Sequence, residues 1–280
     1  MLAVALGLGS SLCWGLADFF GGLQSRRRAA LVVLLVSQGV ALALLIPFAL
    51  AVADETPSLS AVGWAALAGS AGIVALGAFY RALAIGTMSV VAPISATAAA
   101  VPVLVGLAEG ERPSTLQVAG MAVALAGVIL ASREPIEEGA DPPNRAAIGL
   151  ALVAAAGFGT FFVGIDKASA TAEVPWVIVV QRCSSLALLV IAALAVRPTL
   201  PRDAPSLLIL GMVGLLDLGA NGLYALATTK GLLSVVSVLG SLYPAVTVVL
   251  ARFVLAERIA RVQEVGVVLA LAGVVAISAG

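Results

Sequence analysis

ERPSTLQVAGMAVALAGVILAS, residues 111–132, returns as ERIARVQEVGVVLALAGVVAIS at residues 257–278, identical at ten of twenty-two positions with a constant offset of 146. Self-similarity on this scale means that one unit can be incomplete without its copy. The reading of the chain therefore turns on what lies between the two.

What lies between them is almost all apolar. The 280 residues are 61% hydrophobic and 11% charged, with a mean hydropathy of +1.14, whereas a soluble domain carries roughly 25% charged residues. A bilayer span needs about 20 predominantly apolar residues. Charged, Pro and Gly clusters cut the chain into ten such segments: 2–22, 29–52, 61–84, 87–109, 115–132, 146–167, 174–196, 204–229, 231–255 and 261–279. The expected fold class is an all-α membrane protein with ten transmembrane helices. The lipid bilayer is its first partner.

Fifteen Lys and Arg balance fifteen Asp and Glu, so no nucleic-acid partner is expected. With no histidine in the chain, Ser/His dyads, HExxH zinc sites and histidine proton relays are excluded. Neither a metal, a cofactor nor a catalytic residue is expected, and the protein reads as no enzyme. Cys13 and Cys183 fall in apolar runs and read as small hydrophobes. The basic cluster Arg26 to Arg28 follows the first apolar run instead of preceding it, so that run reads as a retained helix and not a signal peptide.

The polar stretch SREPIEEGADPPNR, residues 132–145, sits at the midpoint, and the halves on either side align beyond the opening quotation. ALLIPFAL at 43–50 matches ALLVIAAL at 187–194, Trp14-Gly15 falls opposite Phe158-Gly159, Tyr80 opposite Tyr224, and SVVAPI at 89 opposite SVVSVL at 234. The expected division is a first five-helix repeat at 1–132, a linker at 133–145 and a second repeat at 146–280. Five is odd, so the second copy enters the membrane from the opposite face. Inverted repeats of this kind are characteristic of secondary transporters that open a midplane site to either side in turn.

In these features the chain resembles the drug/metabolite transporter superfamily, EamA type. The resemblance rests on the WG near the start of the first half and FG in the second, the Tyr with Ala-Leu-Ala near residues 80 and 224, the prolines of the fourth and ninth segments, and Glu111-Arg112 and Glu257-Arg258 before a glycine-containing last segment. It departs in one respect: Pro102 lies nine residues before Glu111 but Pro244 thirteen before Glu257, which predicts kinks at unequal depths. The resemblance implies a secondary transporter, an exporter of small organic metabolites such as amino acids or of amphipathic drugs, in the plasma (bacterial inner) membrane. A lipid-linked carrier flippase is the alternative. An aspartyl hydrolase built on Asp18 and Asp217 is disfavoured, because neither carboxylate sits in a Gly-x-Gly-Asp setting.

Intramembrane ionisable groups cost about 2.5–3.5 kcal/mol each at a helix centre on insertion scales and mark functional sites. Asp217 and Arg182 qualify, with an axial separation of roughly 6 Å at 1.5 Å per residue. They read either as a structural ion pair between the seventh and eighth segments or as part of a substrate surface. Asp217, Asn221 and Tyr224 share one helical face at i, i+4 and i+7. A second stripe runs Ser11, Trp14, Asp18, with Phe158 and Phe162 on the matching face of the second half. Asp18 reads either as a substrate group or as a carboxylate reaching interfacial water or Arg26. The indole N–H of Trp14 needs a polar partner, which a cavity would supply. Trp14, Asp18, Tyr80, Phe158, Phe162, Asp217, Asn221, Tyr224 and Tyr243 are the candidate substrate-binding residues. Pro93, Pro102 and Pro244 are candidate gating prolines, with Ser95, Thr97, Ser241 and Tyr243 placed to satisfy freed carbonyls. If protons are a partner, Asp217 is the coupling candidate, a role that pairing with Arg182 would oppose. Gly120, Gly127, Gly266 and Gly273 read as close-packing positions.

Eleven of the fifteen Lys and Arg fall on the face bearing the loops after the first, third, fifth, seventh and ninth segments. The positive-inside rule puts that face in the cytoplasm and both termini outside. The family resemblance implies the reverse.

Overall fold

The computed structural model describes residues 1–25, 27–85, 88–133, 144–254 and 260–280, without the side chains of 83, 84, 88 and 89. Arg26, Glu257-Arg258 and most of the polar midpoint stretch lie outside the described residues. The chain is all helix: α1 (Leu2–Ser25), α2 (Ala30–Val52), α3 (Leu59–Ile85), α4 (Met88–Ala96), α5 (Ala100–Ala108), α6 (Thr115–Ala131), α7 (Arg145–Ser169), α8 (Val174–Val196), α9 (Ala204–Thr228), α10 (Leu233–Gly240), α11 (Tyr243–Val254) and α12 (Arg261–Ala279). Among the described residues, nine apolar spans have 19 to 25 residues, and α6 adds a tenth of 17. All are long enough to cross a bilayer. Large apolar side chains such as Phe48, Leu194, Leu208 and Val268 point outward, where lipid replaces water as their neighbour.

The fourth and ninth segments are not continuous helices. Between α4 and α5 the chain tightens to a 3₁₀ turn at Thr97–Ala99, and between α10 and α11 it breaks at Ser241-Leu242. A proline ring displaces the carbonyl four residues earlier, which is Ala98 for Pro102 and Gly240 for Pro244. The breaks fall at matching depths although the prolines do not, which corrects the expectation of unequal kinks. Matching hydroxyls also back them: Thr97 donates to the Ile94 carbonyl at 2.6 Å and Ser241 to that of Val238 at 2.8 Å.

The packing obeys a two-fold relation between halves. α1 packs on α9 and α10–α11, as α7 packs on α3 and α4–α5; α2 meets α8, and α6 meets α12. The glycines show why these helices approach so closely. A Cβ on Gly159 would stand 2.8 Å from the Ala98 carbonyl oxygen, and one on Gly15 3.0 Å from that of Tyr243. Gly69 abuts the Gln181 carbonyl, and its counterpart Gly214 the Ser37 carbonyl. Gly120 and Gly273 let α6 and α12 touch backbone to backbone: a Cβ on Gly120 would lie 2.7 Å from the Ile277 nitrogen, one on Gly273 2.5 Å from that of Ala124. Small residues are what such contacts need in lipid.

Caps repeat as well. Gln117 Oε1 accepts from the Ser114 N–H at 2.9 Å while Ser114 Oγ accepts from the Gln117 N–H at 3.1 Å, a full capping box. In the second half Gln263 Oε1 accepts from the Ala260 N–H at 2.9 Å, and the hydroxyl half is gone because alanine stands there. Glu111 closes the start of α10, accepting from the Leu233 and Ser234 N–H groups at 2.5 and 3.0 Å, where the helix dipole favours a negative charge.

Candidate functional site

A cavity of about 520 Å³ lies between the halves, within the usual range for small-molecule sites. α1, α3, α7, α8 and α9 supply its central wall. It extends to Ser25, Ser132 and Gln263, which stand at helix ends on the face that carries the eleven basic residues. At its other end the indole of Trp14 is packed among Phe161, Phe162, Tyr224 and Tyr243, with ring centroids 5.7 to 6.3 Å away. These rings form a floor. Among the described residues the cavity thus extends to one membrane face and is stopped by aromatic packing toward the other.

The candidate residues divide into three groups. Trp14, Asp18 and Tyr80 stand on the wall from the first half, and Phe158, Phe162, Asp217, Asn221, Tyr243 and Pro244 stand on it from the second. Tyr224 does not reach the cavity: it is fully buried, its hydroxyl 2.7 Å from Ser237 Oγ and donating to the Phe162 carbonyl at 3.3 Å. Bulkier neighbours stand in front of it, since Trp14 and Phe162 cover its ring. Pro93 and Pro102 lie behind the wall, in the fourth span.

Arg182 and Asp217 meet, Nη1 donating to Oδ2 at 2.6 Å. Asn221, one turn on from Asp217, donates to its backbone carbonyl at 2.7 Å and to Oδ2 at 3.3 Å. Arg182 is 1% exposed and its Nε and Nη2 make no hydrogen bond among the described residues, so Asp217 is what compensates its charge. The Asp217 carboxylate remains 32% exposed to the cavity. Being an ion pair between helices and being part of the wall are therefore compatible roles.

Asp18 differs from Asp217. It is exposed in the wall, and among the described residues no hydrogen bond or ion pair engages it. Trp14 Nε1 likewise makes no hydrogen bond among the described residues. Gln38, Ser185, Gln181 and Phe161 also line the cavity, and Ser185 donates to Gln38 Oε1 at 2.7 Å across the α2–α8 contact. These neutral side chains carry no charge that would mark them in the sequence. Their signal was available, since Ser37-Gln38 falls opposite Gln181-Arg182 at offset 144.

The family model described as the EamA-like transporter family matches the chain twice, at residues 1–133 and 145–279. The chain belongs to the EamA-like transporter family. Two matches to one model also express its repeat. A solved structure described as "Crystal structure of protein" superposes with a TM-score of 0.74 at 16% identity, covering 98% of this chain and 95% of that one, which shows that the fold is shared. No curated protein matches. This EamA-type protein is an integral membrane transporter of small molecules.

Proposed function

We propose that this EamA-type protein is a secondary transporter that exports small organic metabolites such as amino acids, or amphipathic drugs, across the plasma (bacterial inner) membrane by alternating access. The observation that carries this reading is the unequal treatment of two equivalent tyrosines. Tyr80 is 41% exposed, on the cavity wall, while Tyr224 is sealed under the aromatic floor. Halves that pack symmetrically yet differ in this way have an equally built alternative, with the Tyr224 side open and the Tyr80 side sealed. The breaks of the fourth and ninth spans stand beside Gly159 and Gly15, where Pro102 and Pro244 make the helices deformable.

On the charge count, the open face is cytoplasmic, where an exporter loads. The assignment is tested by a C-terminal reporter active only in the cytoplasm, expected silent. The pairing of Asp217 with Arg182 bears on coupling, because neutralising Asp217 would strand a buried guanidinium; this disfavours Asp217 as the proton site. Proteoliposome counterflow measured beside gradient-driven accumulation tests transport itself. Saturable exchange of a small solute across the vesicle is expected, and its absence for every solute class tried would overturn the reading.

A further inference from the structure

We propose that Asp18 seats the ammonium group of the substrate, so that the cavity takes small amphipathic monocations in preference to anions and zwitterions. The inference rests on the carrier reading above and narrows it. Two carboxylates, Asp18 and Asp217, and one guanidinium, Arg182, line the cavity among the described residues. Arg182 and Asp217 neutralise each other at 2.6 Å, and at 1% exposure the guanidinium presents almost nothing to a ligand. With all three groups ionised, two negative charges less one positive leaves one negative charge, and it sits at Asp18.

Among the described residues that carboxylate has no hydrogen-bond or ion-pair partner, and it stands in a mostly apolar wall, where an incoming cation supplies the missing counter-charge. The surroundings favour the same ligand. Trp14 lies one turn before Asp18 on the same face of α1, and Tyr80 and Tyr243 both lie within electrostatic reach of it. Aromatic faces attract a cation, more strongly where water is excluded. Asp217 is also close enough for the two carboxylates to repel, which a cation seated at Asp18 offsets. A ligand carboxylate meets that repulsion and finds Arg182 already paired. Val33, Leu34, Ile73 and Leu76 on the wall receive an apolar body.

The test uses the purified full chain and probes that share a phenethyl body: phenethyltrimethylammonium, phenylalanine and phenylpropionate, with tetramethylammonium as the bare cation. Titration calorimetry should show the aromatic cation binding about tenfold tighter or more than the zwitterion and the anion, and tighter than tetramethylammonium. Asp18→Asn should lose about tenfold or more of that affinity, and Asp18→Glu should retain most of it. Equal or tighter binding of phenylalanine or phenylpropionate, or an unchanged affinity in Asp18→Asn, overturns the Asp18 subsite while leaving the carrier reading standing. Absence of binding by every probe, together with absence of counterflow for any solute, overturns both. If Asp18→Asn cannot be obtained folded, the ranking of the probes on the unaltered protein decides.

Discussion

Tyr80 and Tyr224 stand at the same place in the two repeats, yet one faces the cavity and the other is 0% exposed with its hydroxyl held by Ser237 and the Phe162 carbonyl. Gly69 and Gly214 make matching contacts, and here the halves agree: each abuts the carbonyl of a residue on the opposite repeat. The helix-to-helix scaffold obeys the two-fold relation, whereas the side chains around the cavity do not. The ionisable groups break it further. Asp18 falls opposite Phe162, Arg182 opposite Gln38 and Asp217 opposite Ile73. A duplicated framework therefore carries a site whose charges each come from one copy alone.

The largest effect is expected where that asymmetry is electrostatic. Asp217→Asn leaves Arg182 buried without its compensating charge. Breaking a buried pair costs about 3–5 kcal/mol, and because Asp217 is itself 32% exposed the loss should fall toward the lower end. Thermal unfolding in detergent should show a lowered midpoint, with Arg182→Gln/Asp217→Asn recovering most of it. A single mutant as stable as the parent would mean that the pair contributes nothing to holding α8 and α9 together.

The symmetric part of the comparison is sharpened by a matched pair. Gly69→Ala and Gly214→Ala each drive a methyl into a backbone carbonyl that has no rotamer to escape through. Overpacking of this kind costs about 1–3 kcal/mol, and the two losses should be alike. Gly39→Ala is the control, since a Cβ there meets nothing within 4 Å and alanine is the better helix former. Unequal losses at residues 69 and 214 would show that the two-fold relation of the scaffold is only approximate in energy.

Much of this was legible before any coordinates. The apolar runs and the duplicated stretch lead to ten spans and two repeats, because hydrophobic length and self-similarity are properties of the chain itself. The stripe Asp217, Asn221, Tyr224 follows from helical period, but period places residues on a face without saying how deep each is covered; Tyr224 is hidden because Trp14 and Phe162, distant in sequence, lie over it. The unequal spacing of Pro102 and Pro244 pointed to unequal kinks, whereas each helix yields a few residues before its proline, at Thr97–Ala99 and at Ser241-Leu242. Axial spacing allowed the Arg182–Asp217 pair as one of two readings, but rotamer and helix rotation decided that it forms with Asp217 still on the wall. No one-dimensional spacing carries these.

A smaller effect separates the tyrosines. Tyr224→Phe removes a buried hydroxyl and should cost about 0.5–1.5 kcal/mol, leaving Ser237 short of a partner. Tyr80, whose hydroxyl makes no hydrogen bond among the described residues, should tolerate phenylalanine with almost no change in unfolding midpoint. The same pair reports on transport: loosening the floor by Tyr224→Phe should raise labelling of a cysteine introduced beneath it, and Tyr80→Phe should not. Equal sensitivity of the two positions would mean that both faces are populated alike.

The smallest effect is expected outside the membrane, at the start of α9. The Asp203 carboxylate accepts from the Ser206 N–H at 2.9 Å, and the Ser206 hydrogen bonds, with Arg28 nearby, hold its carboxyl below the usual carboxylate range. A depressed native pKa fixes the sign: the contribution is complete above the unfolded value of about 3.9 and disappears as pH falls through the lower native value. Asparagine is a comparable N-cap without a titrating charge. The difference in unfolding midpoint between the parent and Asp203→Asn should therefore be small and constant near neutral pH, then shift against the parent as the medium approaches about pH 3. Solvent surrounds this cap, so added salt should shrink the part due to Arg28 and leave the part due to Ser206. A pH-independent difference would show that the cap acts through geometry alone, as the neutral Gln263 contact does at the start of α12.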